Sequence, residues 1–256
     1  MQLGQQSRVE GNRRRRCDVD TTVKYQGVAI GALAAAGLAG LHRLGRTAGA
    51  TRAEQEAHLP GDELIQHPMM VTTHAITIDT PPELIWPWLV QLGWHRGQWY
   101  TARWVDRLLF PANPPSTNRI VPELQHLSVG DWVPDGAPET GCGFTVDILE
   151  PNRHLLLHSS EHLPPQFAER FDTWMDWTWA FTLRDVGAGR TRFIFRSRVS
   201  LGPWWLAASY WALIIPADFV MAQQMLHGVK NRAEGKITAD SSASPPLAKA
   251  PSASRR

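Results

Sequence analysis

The sequence predicts an α+β fold in which an antiparallel sheet wraps around a long C-terminal helix. Three observations carry that expectation. Residues 174–184 and 191–200 alternate apolar with polar side chains, the period of strands. Asn152 and the run Gly187-Ala188-Gly189 stand where hairpin turns would join neighbouring strands antiparallel. Residues 206–234 then form a helical stretch, and the strands need such a helix to cover one face of their sheet.

Taken in order, residues 1–24 are polar and Arg-rich, with four arginines at 13–16, and are expected to be a disordered basic arm. Residues 25–44 are apolar and dominated by Ala and Gly, close to the ~20 residues that a bilayer needs. Three readings stay open: a single membrane-anchoring helix with the side of the membrane unassigned, a signal peptide cleaved near Ala48-Gly49-Ala50, or a soluble helix packed on the domain or a disordered arm. The anchor leads. Gly27, Gly31, Ala35 and Ala39 make a small-residue stripe that would let two copies pair as a homodimer. Residues 45–58 read as a linker.

The domain proper is expected over residues 59–234. Residues 74–79 alternate around Ile76 and Ile78 as a half-buried strand does. Pro81-Pro82 breaks it and suits a first helical turn. Leu84, Ile85, Trp88, Leu89 and Leu92 follow at helical spacing, and Gly93 stops them. Residues 102–110 predict a short helix with Trp104, Val105, Leu108 and Leu109 apolar, ended by the Pro-rich residues 111–115. Strands are expected at 132–134, 143–150, 154–159, 174–184 and 191–200. The helix at 206–234 should break near Pro216. Its neighbourhood, residues 204–221, is apolar enough to be mistaken for a membrane span, but Pro216 and Asp218 interrupt it, so a sheet-covering helix is expected. Its tryptophans would suit a membrane interface. Residues 235–256 are Ser/Ala/Pro-rich and expected to be a disordered tail.

Several blocks in this order resemble the SRPBCC superfamily, also called START-like, Bet v1-like or polyketide cyclase-like. The blocks are LPGDELI (59–65), the strand–Pro–helix run with Ile85-Trp86 near the helix start, WPWLVQLG followed by RGQWY (96–100), RIVPELQHLSVGDWVP (119–134), FTVDILEPNRHLLL (144–157), WAFTL (179–183), GRTRFIFRSR (189–198) and FVMAQQMLHGVKNRAE (219–234). They resemble a largely uncharacterised bacterial branch that carries an apolar N-terminal helix. The loop at 114–118 departs from that pattern. The resemblance implies a helix-grip fold built around a ligand cavity.

Function is bounded by composition and narrowed by candidate residues. A net charge of +2 on 256 residues gives no nucleic-acid footprint. Cys17 in the polar arm and Cys142 between two glycines make no disulfide framework. His154, His158 and His162 recur every fourth residue, but on a strand and without a recognisable completing ligand, so no metal is expected. There is no phosphate-cradling Gly loop and no Gly-x-Ser-x-Gly elbow, and no cofactor is implied. Glu123, His126 and Asp131 read as solvated surface. Trp177, Trp179 and Phe181 share one strand face, and Phe193 and Phe195 the corresponding face of the next. With Tyr210 and Leu213 they are expected to line an apolar pocket against the helix, with Arg96, Trp99 and Tyr100 near its mouth. The leading expectation is a domain that binds a hydrophobic or amphipathic small molecule. The alternative is a cyclase/dehydratase-type enzyme, which would need an acid or base inside the cavity, with His74, Tyr100, Glu123, His126 and Asp147 as candidates.

Overall fold

A computed structural model describes residues 32–33, 36–37, 39–40, 42–109, 111 and 113–237. The arm expected over 1–24, much of the apolar segment 25–44 and the tail from 238 onward lie outside the described residues. The chain divides into two compact units, residues 1–44 and 45–256. In the first, the described residues are helical. Among the described residues no single helix is long and apolar enough to cross a membrane, so the membrane helix expected over 25–44 is not shown.

The second unit runs α1 (Arg52–Glu56), β1 (Met70–Ile78), α2 (Pro82–Val90), α3 (Arg103–Leu109), β2 (Trp132–Pro134), β3 (Gly143–Glu150), β4 (His154–Ser159), α4 (Pro165–Phe171), β5 (Trp174–Asp185), β6 (Thr191–Gly202), α5 (Trp204–Ser209), a π-wound turn (Tyr210–Ile214) and α6 (Ile215–Ala233). The strands form one antiparallel sheet in the order β1-β6-β5-β4-β3-β2. The expected bounds hold for β2, β3 and β4. β1 starts four residues before the expected position, because Thr72 and Thr73 break the apolar alternation yet still pair with Ser197 and Arg196 of β6.

The C-terminal helix breaks as Pro216 requires, since proline has no N–H to donate. The five-residue π winding sits just before it, and the two arms meet at a 54° bend. Only as this bent pair do they have the length and composition of a span. Ile215, Asp218, Ala222, Met225, Leu226 and Val229 form the buried stripe of α6, at helical spacing. Apart from Asp218, they pack with Ile85 and Leu89 of α2 and with the inward face of β5 and β6, where Trp177, Trp179, Phe181, Leu183, Phe193, Phe195 and Val199 lie. The predicted alternation therefore sets the core.

The outer face is covered as well, which corrects the linker expected at 45–58. Thr51 and Glu54 cap α1 reciprocally. Arg192 grips Glu54 with two nitrogens, at 2.7 and 2.9 Å. Leu59 packs on Ala75 and Ile194. Asp62 accepts from its own turn, Leu59 N at 3.0 Å, and from Arg196 at 2.7 Å. The LPGDELI block is thus the latch that holds residues 50–65 against the outside of β1 and β6.

Candidate functional site

Between β5 and the bent C-terminal helix lies a cavity of about 370 Å³. Its apolar wall is Trp99, Leu163, Met175, Trp177, Trp179, Leu206, Ile214 and Met221. Trp177 and Trp179 reach it because alternate residues of a strand share a face. Trp99 is delivered by the loop after α2, and that loop is unusual. Gly93, His95, Gln98 and Tyr100 all have left-handed backbones, with φ of 123°, 55°, 65° and 57°.

Side chains with positive φ cost energy, so something must hold this loop. Gln91 O accepts from Gly97 N at 2.6 Å, and Gly93 O from Gln98 N at 3.0 Å. Arg96 donates to Leu92 O at 2.9 Å and Val90 O at 2.8 Å, binding the frayed end of α2. The Tyr100 hydroxyl donates to Trp88 O at 3.0 Å and accepts from Gln91 Nε2 at 2.8 Å. The Arg232 guanidinium lies 4.6 Å from the Tyr100 ring centre. Gly228 lets α6 come against the loop; a Cβ there would collide with the Tyr100 carbonyl. The result sets Trp99 edge-on to Trp179, centroids 4.9 Å apart.

Of the residues expected around the pocket, the structure brings Trp99, Trp177, Trp179 and Tyr210 together on its wall. Arg96 and Tyr100 do not line it: their polar atoms are used in locking the loop, and burial pushes the Tyr100 phenol above its usual range. Phe181, Phe193 and Phe195 lie deeper, stacked on one another, with Phe181 and Phe195 centroids 5.2 Å apart. Leu213 belongs to the π winding, and its side chain is outside the described residues.

The polar residues on the cavity wall are Asn113, Asp135, His162, Ser209, Tyr210 and Asp218, and of these the sequence places only Tyr210 at the site. Asp218 occupies a position of the α6 stripe that spacing assigns to an apolar residue, and it is 8% exposed. Among the described residues none donates a hydrogen bond to it. Burial, with the Asp135 charge adding, pushes its pKa up to about 7. Burial and the Asp218 charge hold the Tyr210 phenol well above its usual range. Asp135 lies 3.1 Å from His162 Nε2, whose Nδ1 is 3.3 Å from Gly143 O. Two indole N–H groups, of Trp99 and Trp179, are buried without a partner among the described residues, whereas Trp177 donates to Ser197 Oγ at 2.6 Å.

The other candidates lie elsewhere. His74 is fully buried between β1 and α6, 3.3 Å from Gln223 Nε2, and burial lowers its pKa to about 4 against a smaller opposing contribution from the Ala48 carbonyl. Glu123, His126 and Asp131 are exposed. Asp147 pairs with His158 at 3.0 Å, and the other nitrogen of that ring meets Asp176 at 2.8 Å. His154 joins Thr182 and the Pro60 carbonyl. Among the described residues no His, Cys, Asp and Glu group has the geometry to hold a metal ion.

No protein-family model and no curated protein matches the sequence. Solved structures do match. One is a protein from Mesorhizobium loti, 16% identical, spanning 66% of this chain and 100% of its own, with a TM-score of 0.37. Another is the Zhui aromatase/cyclase from a Streptomyces species, 16% identical over 66% of this chain and 96% of its own, TM-score 0.34. A third is norcoclaurine synthase from Thalictrum, 11% identical over 62% and 95%, TM-score 0.32. What the cavity does rests on its own residues.

Proposed function

We propose that this domain binds a hydrophobic or amphipathic small molecule, lipid-like or polyketide-like, in the cavity between β5 and the bent C-terminal helix. The observation that carries the reading is the cavity itself. It is about 370 Å³, walled by three tryptophans and aliphatic side chains, with a few polar groups among them. Small-molecule sites have this size and this uneven polarity. Attachment to a membrane through residues 25–44, and pairing of two copies there, belong to the same proposal and rest on the sequence alone.

The test is a neutral fluorescent probe, N-phenylnaphthylamine, titrated into the folded protein. Saturable binding is expected, with displacement by fatty or polycyclic compounds. Leu206→Trp narrows the cavity from the helix side and should weaken probe binding at least tenfold while the melting transition stays cooperative. Binding that is not saturable, or that ignores a verified narrowing, would rule out this site.

One observation favours a second reading, a cyclase/dehydratase-type enzyme. Asp218 lies on the cavity wall with a pKa near 7, where a carboxyl group both gives and takes protons efficiently. Under that reading Asp218→Asn keeps probe binding and loses turnover of a polyketide-like substrate by at least a hundredfold. Turnover that survives the substitution would remove the enzyme reading.

A further inference from the structure

We propose that the ligand is an organic cation: an amine or quaternary ammonium on an apolar body, with its charge seated between the Asp218 and Asp135 carboxylates and the indole rings of the cavity. The inference rests on the ligand-binding reading above and names the class of that ligand. Charge is the first argument. The wall carries two carboxylates and no Lys or Arg among the described residues. Asp218 is more than nine-tenths buried, lines the cavity and receives no hydrogen bond from a described residue. A buried carboxylate that is neither paired nor hydrogen-bonded is costly, so the site gains from any bound group that supplies positive charge. A neutral ligand leaves that need unmet, and an anion makes it worse.

The rings are the second argument, independent of the first. Trp99 and Trp179 stand at 79° with centroids 4.9 Å apart, Trp177 and Trp179 at 89° and 5.2 Å, and Trp177 and Tyr210 at 87° and 6.3 Å. Three indole rings and the Tyr210 phenol thus border the cavity, and an aromatic face open to it attracts a cation. His162 holds Asp135 on the cavity wall. Asp135 and Tyr210 are the titratable groups whose electrostatics couple to Asp218.

The experiment is calorimetric titration of the full-length protein with four probes: naphthylmethylamine, its neutral analogue naphthylmethanol, the anion naphthoate, and decyltrimethylammonium below its micellar concentration. At about pH 8 the amine should bind at least tenfold more tightly than the alcohol, and naphthoate should bind more weakly than either. The better of the two cations tells an aromatic amine from a lipid-like head, and either supports the proposal. For decyltrimethylammonium, whose own charge does not titrate, affinity should fall about tenfold from about pH 8 to about pH 6, as the ionised fraction of Asp218 falls. Asp218→Asn should bring the amine to the level of the alcohol and flatten that pH dependence. Equal binding of amine and alcohol overturns the cation and leaves the apolar cavity standing. Binding of none of the four overturns both.

Discussion

Arg196→Ala is expected to cost about 3–5 kcal/mol of folding stability, towards the upper end of that range. Arg196 is 2% exposed, on the outer face of β6, under the segment that carries α1. Its guanidinium meets Asp62 Oδ2 at 2.7 Å, Ala57 O at 2.7 Å, Glu54 O at 2.7 Å, Gln55 O at 3.1 Å and Thr73 Oγ1 at 3.1 Å. A buried ion pair adds little net stability by itself, but removing one member strands the other. Here alanine takes from Asp62 its closer guanidinium, leaving it Arg198 at 3.5 Å and Leu59 N, and leaves three backbone carbonyls without their donor. Lysine would not rescue it, since a point ammonium cannot reach acceptors spread around a planar fork. Arg196→Met combined with Asp62→Leu should recover only part of the loss, because the carboxylate goes with its closer partner while Arg198 and Leu59 N lose it. Urea unfolding of the full-length protein measures all three. A loss below about 1 kcal/mol for Arg196→Ala would mean that residues 50–65 contribute nothing to the fold.

That arginine also shows where sequence reading stops. Alternation in β5 and β6 correctly separated Phe193 and Phe195 from Arg192, Arg196 and Arg198, because strand period is local. The same rule cannot say that a charged face is buried: that depends on a segment about 140 residues earlier returning to cover it, as the Arg196 bonds to Glu54 and Gln55 do. The cavity divides the same way. Trp177 and Trp179 were legible from period two. Trp99 was legible only by position, and Arg96 and Tyr100 were misplaced because the left-handed winding of their loop has no sequence mark beyond Gly93 and Gly97. Asp135 and His162 are 27 residues apart and meet only through the β2–β3–β4 pairing. Asp218 did leave a signal, an acid within an apolar helical stripe. The same residue interrupts the apolar run 204–221, and nothing local says that it is buried in the domain.

Asp218→Asn is expected to raise stability at about pH 8 by up to about 4 kcal/mol and to change the sign of the protein's pH dependence. The folded pKa of Asp218 is about 7 against an ordinary 3.8. Between those values the folded state keeps a proton that the unfolded chain has released. Stability therefore falls as pH rises through that window, by about 1.4 kcal/mol per unit, and the whole amount is lost above about pH 7. His74 works in the opposite direction. Its folded pKa is about 4 against 6.5, so the unfolded chain binds a proton that the folded state refuses, and stability rises with pH between those values. The two slopes cancel between about pH 4 and 6.5, and the wild-type protein should show a nearly flat profile there with a decline near neutrality. Glu54, bonded to Arg192, and Glu234, which burial raises but Lys230 and Lys236 lower further, both titrate near 2 and act only below about pH 4.5. Removing the Asp218 carboxyl takes away one of the two opposing slopes. The Asn variant should climb by about 2 kcal/mol from about pH 4.5 to 6.5 and then level off. It should keep its advantage over wild type at higher pH, less whatever the buried amide costs. Melting temperatures of both proteins across about pH 4.5–8 decide the matter. An Asn variant that is less stable than wild type at about pH 8, or equally flat at lower pH, would mean that the Asp218 carboxylate is well partnered when ionised, and the case for a cation-seeking cavity would fall with it.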